Sequence, residues 1–276
     1  MRAVILAGGL GTRLRPYTTI IPKPLVPVGD RPVLEHIIDG LSRHGIRRVD
    51  LCVSHLGELI EAYLSQRAIS DELDVRFHWE DEPLGTAGAM RSVPDLEGTF
   101  IAMNGDVFTT LDYSALVAYH HEQEAALTIA MHTSQVTIGL GVIEHESDIV
   151  TAYVEKPTLR YQVSMGVYVY DERALDHLPA GPCQFPDLVH LLLDAGERVA
   201  AFRSDADWYD IGTQEEYERA SQDFEHDPRR FGVDPDEVTQ PRSRRLLAGE
   251  PRVVTESVPQ EVGAAQHNGH RTETLE

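Results

Sequence analysis

Apolar residues along the chain recur with two periods. The runs Val4-Ile5-Leu6-Ala7 and 99–103 (Thr-Phe-Ile-Ala-Met) lack polar alternation and read as strands buried on both faces of a sheet. Between them Val33, Leu34, Ile37, Ile38 and Leu41 recur at helical spacing, with Asp30 as a cap, Pro32 in the first turn and Gly45 as the stop. A strand at 48–53, a helix over 58–66 and a strand at 74–79 continue the alternation. Strands and helices at this spacing predict right-handed βαβ units, and so an α/β fold with a Rossmann-like, mainly parallel sheet flanked by helices.

The second half is less regular. After a helix at 112–123, strands are expected at 126–132, 140–144, 149–154 and 163–170, a smaller mixed β region suited to a second substrate's pocket. A helix at 186–195 and a strand at 198–203 follow. Then comes Trp208-Tyr209-Asp210-Ile211-Gly212, with Thr213-Gln214-Glu215-Glu216 as a capping box for a last helix. Beyond about Asp223 apolar periodicity fades. The expectation is a folded domain over 1–222 and a mostly disordered polar tail over 223–276, with 242–254 as a segment that could dock on a partner.

Three loops of unusual composition, 8–27, 82–88 and 104–106, each follow a predicted strand. Ligands of open parallel sheets bind outside the carboxyl ends of the strands, so these loops should meet at one edge. The first is the richest. Gly8, Gly9 and Gly11 let backbone N–H groups crowd round an anion, and Arg13, Arg15 and Lys23 add positive charge: a cradle for phosphates. It is not a dinucleotide fingerprint, because Leu14 stands where the third glycine belongs, and the chain has no G-x-x-x-x-G-K-[ST] loop. By itself it could also be a glycine-rich turn with surface arginines.

Composition sharpens this picture. A net charge of −21 over 276 residues argues against nucleic acid or an anionic membrane as partner. An acidic protein that binds phosphates needs a local basic cluster, metal ions, or both. The two cysteines, Cys52 and Cys183, lie in apolar runs and suit a reduced, cytoplasmic setting better than a disulfide framework. The first apolar run is too short for a signal peptide, and no stretch approaches transmembrane length, so a soluble protein is expected. Among the 24 basic residues only Lys23 and Lys156 are lysines, and both sit in loops beside a proline.

Asp106, after a buried strand, and Asp210 are the candidate magnesium ligands, since Mg²⁺ takes one or two carboxylates plus phosphate oxygens and water. Each could instead simply shape a turn. Glu155-Lys156-Pro157 offers a carboxylate and an ammonium for a second, phosphorylated substrate, or else a plain surface pair. Thr86 can cap a helix after Gly85. The histidines, His120-His121 included, lack metal-ligand spacing and are assigned to the surface.

The opening G-G-x-G-T-R-L-x-P…P-K-P-L closely resembles the signature of the sugar-1-phosphate nucleotidylyltransferases, which make NDP-sugars from an NTP and a sugar 1-phosphate. Glu82-Pro83-Leu84-Gly85-Thr86-Ala87-Gly88, Asn104-Gly105-Asp106, Gly141-Val142, Val154-Glu155-Lys156-Pro157 and Trp208 to Thr213 extend the resemblance over about residues 1–222. It implies a nucleotidyltransferase-type fold and Mg²⁺ as cofactor on Asp106 and Asp210. It implies Arg13 and Lys23 as catalytic cations, and nucleotide contacts from Leu6, Ala7, Gly8, Gly9, Gly11, Thr12, Glu82, Gly85 and Thr86. Gly141, Glu155 and Lys156 would bind the sugar or its phosphate. The 82–88 motif looks most like the guanylyl branch, with thymidylyl second, and mannose or heptose 1-phosphate as acceptor. Two features depart from the family: the tail has no hexapeptide repeats, which leaves oligomer type open, and Ser164-Met165 precedes Gly166 where many relatives place an Asn. A homologue that binds sugar nucleotides without catalysis is the rival reading.

Overall fold

The computed structural model describes residues 1–235 apart from 10, 15–16, 67–72 and 81; the side chains of residues 12 and 17 are also outside the description. In chain order the strands are β1 (Arg2–Leu6), β2 (Pro27–Val28), β3 (Arg31–Pro32), β4 (Arg48–Val53), β5 (Asp74–Trp79), β6 (Thr99–Asn104), β7 (Val107–Thr109), β8 (Leu127–Thr137), β9 (Val142–Glu146), β10 (Ile149–Val154), β11 (Thr158–Asp171), β12 (Val199–Arg203) and β13 (Trp208–Asp210). The helices are α1 (Val33–Arg43), α2 (Gly57–Ser65), the single turn α3 (Gly85–Gly88), α4 (Tyr113–Glu122), α5 (Phe185–Asp194) and α6 (Gln214–His226).

Seven strands form one sheet in the order β12-β8-β11-β6-β1-β4-β5. All neighbours are parallel except β11, which runs antiparallel to both β6 and β8. The expected mainly parallel α/β sheet is therefore present, with the mixed region in the second half. Alternation along β1 shows why the strand has no polar face. Ala3 and Ile5 enter the core beneath α1, α2 and α6, while Val4 enters a second core beneath α3 and α5. Register then positions the loops. Leu6 sits opposite Cys52 of β4 and Asn104 of β6, so the chain leaves all three strands at one level.

Two helix starts differ in their chemistry. Thr213 caps α6 as expected, its Oγ1 accepting from the Glu216 N–H at 3.3 Å. Asp30 does not cap α1: the helix opens from Pro32 without a side-chain cap, and Asp30 pairs with Arg31 at 3.4 Å.

The packed domain does not end at residue 222. Phe224 on α6, and Phe231 and Val233 beyond it, are buried in the core with α1. Phe231 stacks on Phe108 at 4.3 Å. A few aromatic residues in a polar context suffice to anchor this stretch, which composition alone assigns to the tail. The rest of the expected tail, 236–276, lies outside the described residues.

Strands β8 and β11 run past the edge of the core as a two-stranded ribbon. Their register breaks between Ser164 and Tyr168, where Gly166 adopts φ +70°. Beyond the break the ribbon and the β9–β10 hairpin are largely exposed. Both cysteines are free and buried. No helix among the described residues is long and apolar enough to cross a membrane.

Candidate active site

At the carboxyl ends of β1, β4 and β6 lies a cleft of about 270 Å³. Its floor is Leu6 to Gly9, one wall carries Lys23, Pro24, Asn104, Gly105 and Asp106, and the other Ser54, Glu80, Pro83, Gly85, Thr86, Ala89 and Gln184. The three loops expected to meet at one edge all contribute.

The two floor glycines serve different ends. At Gly8 a Cβ would stand 2.8 Å from Ser54 Oγ, the hydroxyl that donates to the Gly8 carbonyl at 2.8 Å. Close approach within the protein explains that glycine. At Gly9 nothing among the described residues lies within 4 Å of where a Cβ would be, and its φ is ordinary. Neither packing nor backbone conformation requires glycine there, and the space it leaves opens into the cleft.

Lys23, Asp106 and Asp210 meet. Lys23 begins a 3₁₀ turn, Lys23–Leu25, held between Pro22 and Pro24. Asp106 follows Gly105, whose N–H donates to the Leu6 carbonyl at 2.9 Å. Asp210 is brought alongside by the pairing of β13 with β7 and by the Ile211 N–H, which donates to the Asp106 carbonyl at 3.0 Å. The Lys23 ammonium donates to Asp106 Oδ2 and, at 3.3 Å, to Asp210 Oδ1. Burial nonetheless raises the pKa of Asp106, assisted by the Asp210 charge and opposed by Lys23.

Asp106 Oδ1 is buried with no hydrogen-bond partner. Such an orphaned carboxylate oxygen beside a second carboxylate suits a divalent cation. No group of three or more ligating side chains able to hold a metal occurs among the described residues. The donor set is thus the sparse kind that Mg²⁺ completes with water and phosphate oxygens.

The 82–88 loop is shaped by a segment a hundred residues later. Gly85 has φ +80°, and a Cβ there would stand 2.5 Å from the Cys183 carbonyl oxygen. That carbonyl accepts from the N–H groups of Ala87 and Gly88, both at 3.0 Å. Thr86 lies inside the α3 turn and does not cap it; its hydroxyl instead accepts from the Phe185 N–H at 2.8 Å. Glu82 is exposed and is not part of the cleft lining. Glu80, at the end of β5, takes that position: its Oε2 accepts from the Leu84 N–H at 3.1 Å, and burial raises its pKa.

Other expected residues lie apart from the cleft lining. Gly11 (φ +58°) accepts from Thr18 Oγ1 at 2.6 Å, and Arg13 is exposed on the 12–14 turn. The Thr12 side chain and Arg15 are outside the described residues. Gly141, Glu155 and Lys156 sit on the exposed ribbon and hairpin. There Tyr153 donates to Glu155 Oε2 at 3.0 Å and fills the space a Cβ on Gly141 would need, while Lys156 Nζ is 3.9 Å from Glu155. His120 is buried, not on the surface, with Nδ1 bonded to Thr128 Oγ1 at 2.9 Å. Glu80, Ser54 and Gln184 are polar cleft residues outside every motif, and Asn104 lies inside one without having been given a role. Asn104 and Ser54 carry a signal, each falling at the end of a buried strand; Gln184 has none.

A mainly parallel sheet with a glycine-floored cleft and a lysine between two carboxylates at its carboxyl edge defines an α/β protein with a polar cleft at the strand ends. The chain belongs to the nucleotidyl transferase family, whose model matches residues 2–227. It is 32% identical over 242 residues to a UTP–glucose-1-phosphate uridylyltransferase of Synechocystis, covering 80% of this chain and 62% of that protein. It is 29% identical over 226 residues to a mannose-1-phosphate guanyltransferase of Schizosaccharomyces pombe, covering 79% and 62%. The chain thus spans less than two thirds of these relatives' length. The crystal structure of HddC from Yersinia pseudotuberculosis complexed with GMP-PN superposes with a TM-score of 0.64 at 29% identity, covering 81% of this chain and 99% of that one.

Proposed function

We propose that the protein transfers a nucleotidyl group from an NTP to a sugar 1-phosphate, releasing pyrophosphate. The observation that carries this reading is the meeting of Lys23, Asp106 and Asp210 at the end of a cleft floored by Gly8 and Gly9. In the reaction an oxygen of the sugar phosphate attacks the α-phosphorus. One P–O bond forms, the bond to the bridging oxygen breaks, and pyrophosphate leaves with the electron pair. The attacking oxygen is already anionic near neutral pH, the second phosphate pKa being about 6, so no general base is required. The protein's task is in-line positioning and charge neutralisation. Gly9 leaves room for the triphosphate beside the backbone, and Lys23 supplies a compact cation to it. Asp106 and Asp210 would hold Mg²⁺, which when bound offsets charge on the phosphates. Arg13 is assigned to the leaving pyrophosphate, and Glu155 and Lys156 to the sugar phosphate.

GTP is the preferred nucleotide in this proposal, with mannose- or heptose-type 1-phosphate as acceptor. Glu80 supports it. An ionised carboxylate only accepts hydrogen bonds, and guanine presents two adjacent donors, N1–H and the N2 amine, on one edge. A uracil or thymine ring offers one N–H. The 32% identity to a uridylyltransferase keeps UTP or dTTP with glucose 1-phosphate as the second reading. Pyrophosphate release assayed over a panel of NTPs and sugar 1-phosphates tests both. Turnover highest with GTP is expected; highest turnover with a pyrimidine nucleotide would overturn the base assignment, and none with any pair would overturn the activity.

A further inference from the structure

Lys23 holds the position between Asp106 and Asp210 that a divalent cation would take. Its ammonium donates to Oδ2 of one and Oδ1 of the other, and its side chain is only 11% exposed. Its surroundings leave little freedom. Pro22 and Pro24 fix the turn that carries it, and Gly212 closes over it: a Cβ on Gly212 would stand 3.2 Å from Nζ and 3.0 Å from Asp210 Oδ1. A wide guanidinium would not fit under that backbone, whereas an ammonium does. Two carboxylates this close repel, and in a half-buried site they need a counter-ion.

We propose that Lys23 is the resident counter-ion of the metal site, so that the protein takes up its divalent cation only together with the triphosphate. This rests on the metal reading given above. In the free protein the ammonium stabilises the carboxylate pair, and a metal ion arriving alone must displace it. The displaced ammonium is then left near the cation without an anionic partner, which opposes binding. A triphosphate removes that opposition, because its oxygens receive Lys23 as the carboxylates give it up. Lys23 thus exchanges one set of oxygens for another, and the bare cation and the bare nucleotide each bind weakly. Lys23 reaches one oxygen of each carboxylate, and of the two that it leaves, Asp106 Oδ1 is buried without a hydrogen-bond partner and so open to a stronger cation.

The test is direct binding of Mn²⁺, followed by electron paramagnetic resonance, to the full chain in the absence of nucleotide. Lys23→Met keeps the stem and removes the charge, and it is expected to bind Mn²⁺ at least about tenfold more tightly than the wild type, because the carboxylate pair loses its counter-ion. In the wild type, adding a non-hydrolysable NTP analogue should tighten Mn²⁺ binding by a similar factor, and in Lys23→Met by much less. Circular dichroism confirms that the variant is folded, and Lys23→Gln, which is also neutral, repeats the comparison if it is not. Equal Mn²⁺ affinity in wild type and variant overturns the inference while leaving nucleotidyl transfer intact. Absence of Mn²⁺ binding in every form, nucleotide present or not, overturns both the inference and the metal assignment. Because the readout needs no turnover, tighter binding in the variant supports the inference whatever the NTP panel shows.

Discussion

Arg2 grips Asp50 with two N–H groups, Nε at 2.9 Å and Nη2 at 2.7 Å, across the neighbouring strands β1 and β4. Asp50 is fully buried, and His78 Nε2 at 2.7 Å and Arg48 at 3.3 Å also face it. One carboxylate thus organises three basic side chains within the sheet, at the level of Val4 in β1. Asp50→Asn leaves those groups without their anion and is expected to lower stability by about 3–5 kcal/mol. Urea unfolding measures it; a midpoint within error of the wild type would show that the network contributes nothing.

The cleft glycines give a contrast. Gly9→Ala meets no atom of the described residues and needs no unusual backbone, so stability should change by less than about 0.5 kcal/mol while nucleotide affinity falls. Gly85→Ala places a Cβ at φ +80° against the Cys183 carbonyl and should cost about 2 kcal/mol or more, together with activity. Thermal melts paired with nucleotide titrations separate the two. Equal loss of stability in both variants would contradict the claim that the space beside Gly9 belongs to a ligand.

Acid should destabilise the fold through two histidines. Burial pulls His36 and His120 from 6.5 to about 4. His36 donates from Nε2 to the Val28 carbonyl at 3.0 Å and lies against Phe108 and Phe224. Because the folded values lie below the unfolded ones, the unfolded chain binds more protons in between. Their contribution is complete above about pH 6.5 and is lost as pH falls toward 4, about 2 kcal/mol for each at pH 5. Unfolding midpoints at pH 7 and pH 5 check the slope, and His36→Gln should flatten it. A midpoint that does not fall on acidification would refute the assignment.

Truncation should divide the last residues sharply. A chain ending after His226 loses Phe231 and Val233 from the core, and Phe231 alone is expected to account for about 3–5 kcal/mol. A chain ending after Pro235 keeps both and should melt and turn over like the full protein. If the two truncations behave alike, the Phe108–Phe231 stack carries no weight.

Much of this was legible in the residues. The apolar runs locate β1, β4 and β6 to within about two residues, because a strand buried on both faces leaves an unbroken signature. That the loops carrying Lys23 and Asp106 share one sheet edge followed from motif plus topology, whereas the contact of Lys23 with both carboxylates did not. What escaped was non-local. Glu80 rather than Glu82 faces the cleft because β5 and its exit set the direction of each side chain, and a motif does not encode that direction. Gln184 arrives from a helix start that nothing in the 82–88 loop announces. The ribbon carrying Glu155 and Lys156 extends as far as β8 and β11 pair, a length that short apolar runs underestimate. Phe231 sits among prolines and arginines, so average composition hid a single well-packed ring.

Lys23 and the Asp210 carboxylate it meets are separated by 187 positions of chain. At about 5–20 residues per second of synthesis, the second partner leaves the ribosome roughly 10–40 s after the first. Through that interval a nascent chain has its glycine loop and its lysine but at most one of the two carboxylates. The phosphate end of the cleft therefore comes into being only with the near-complete domain. A fragment released before residue 210 lacks the complete cluster of Lys23, Asp106 and Asp210.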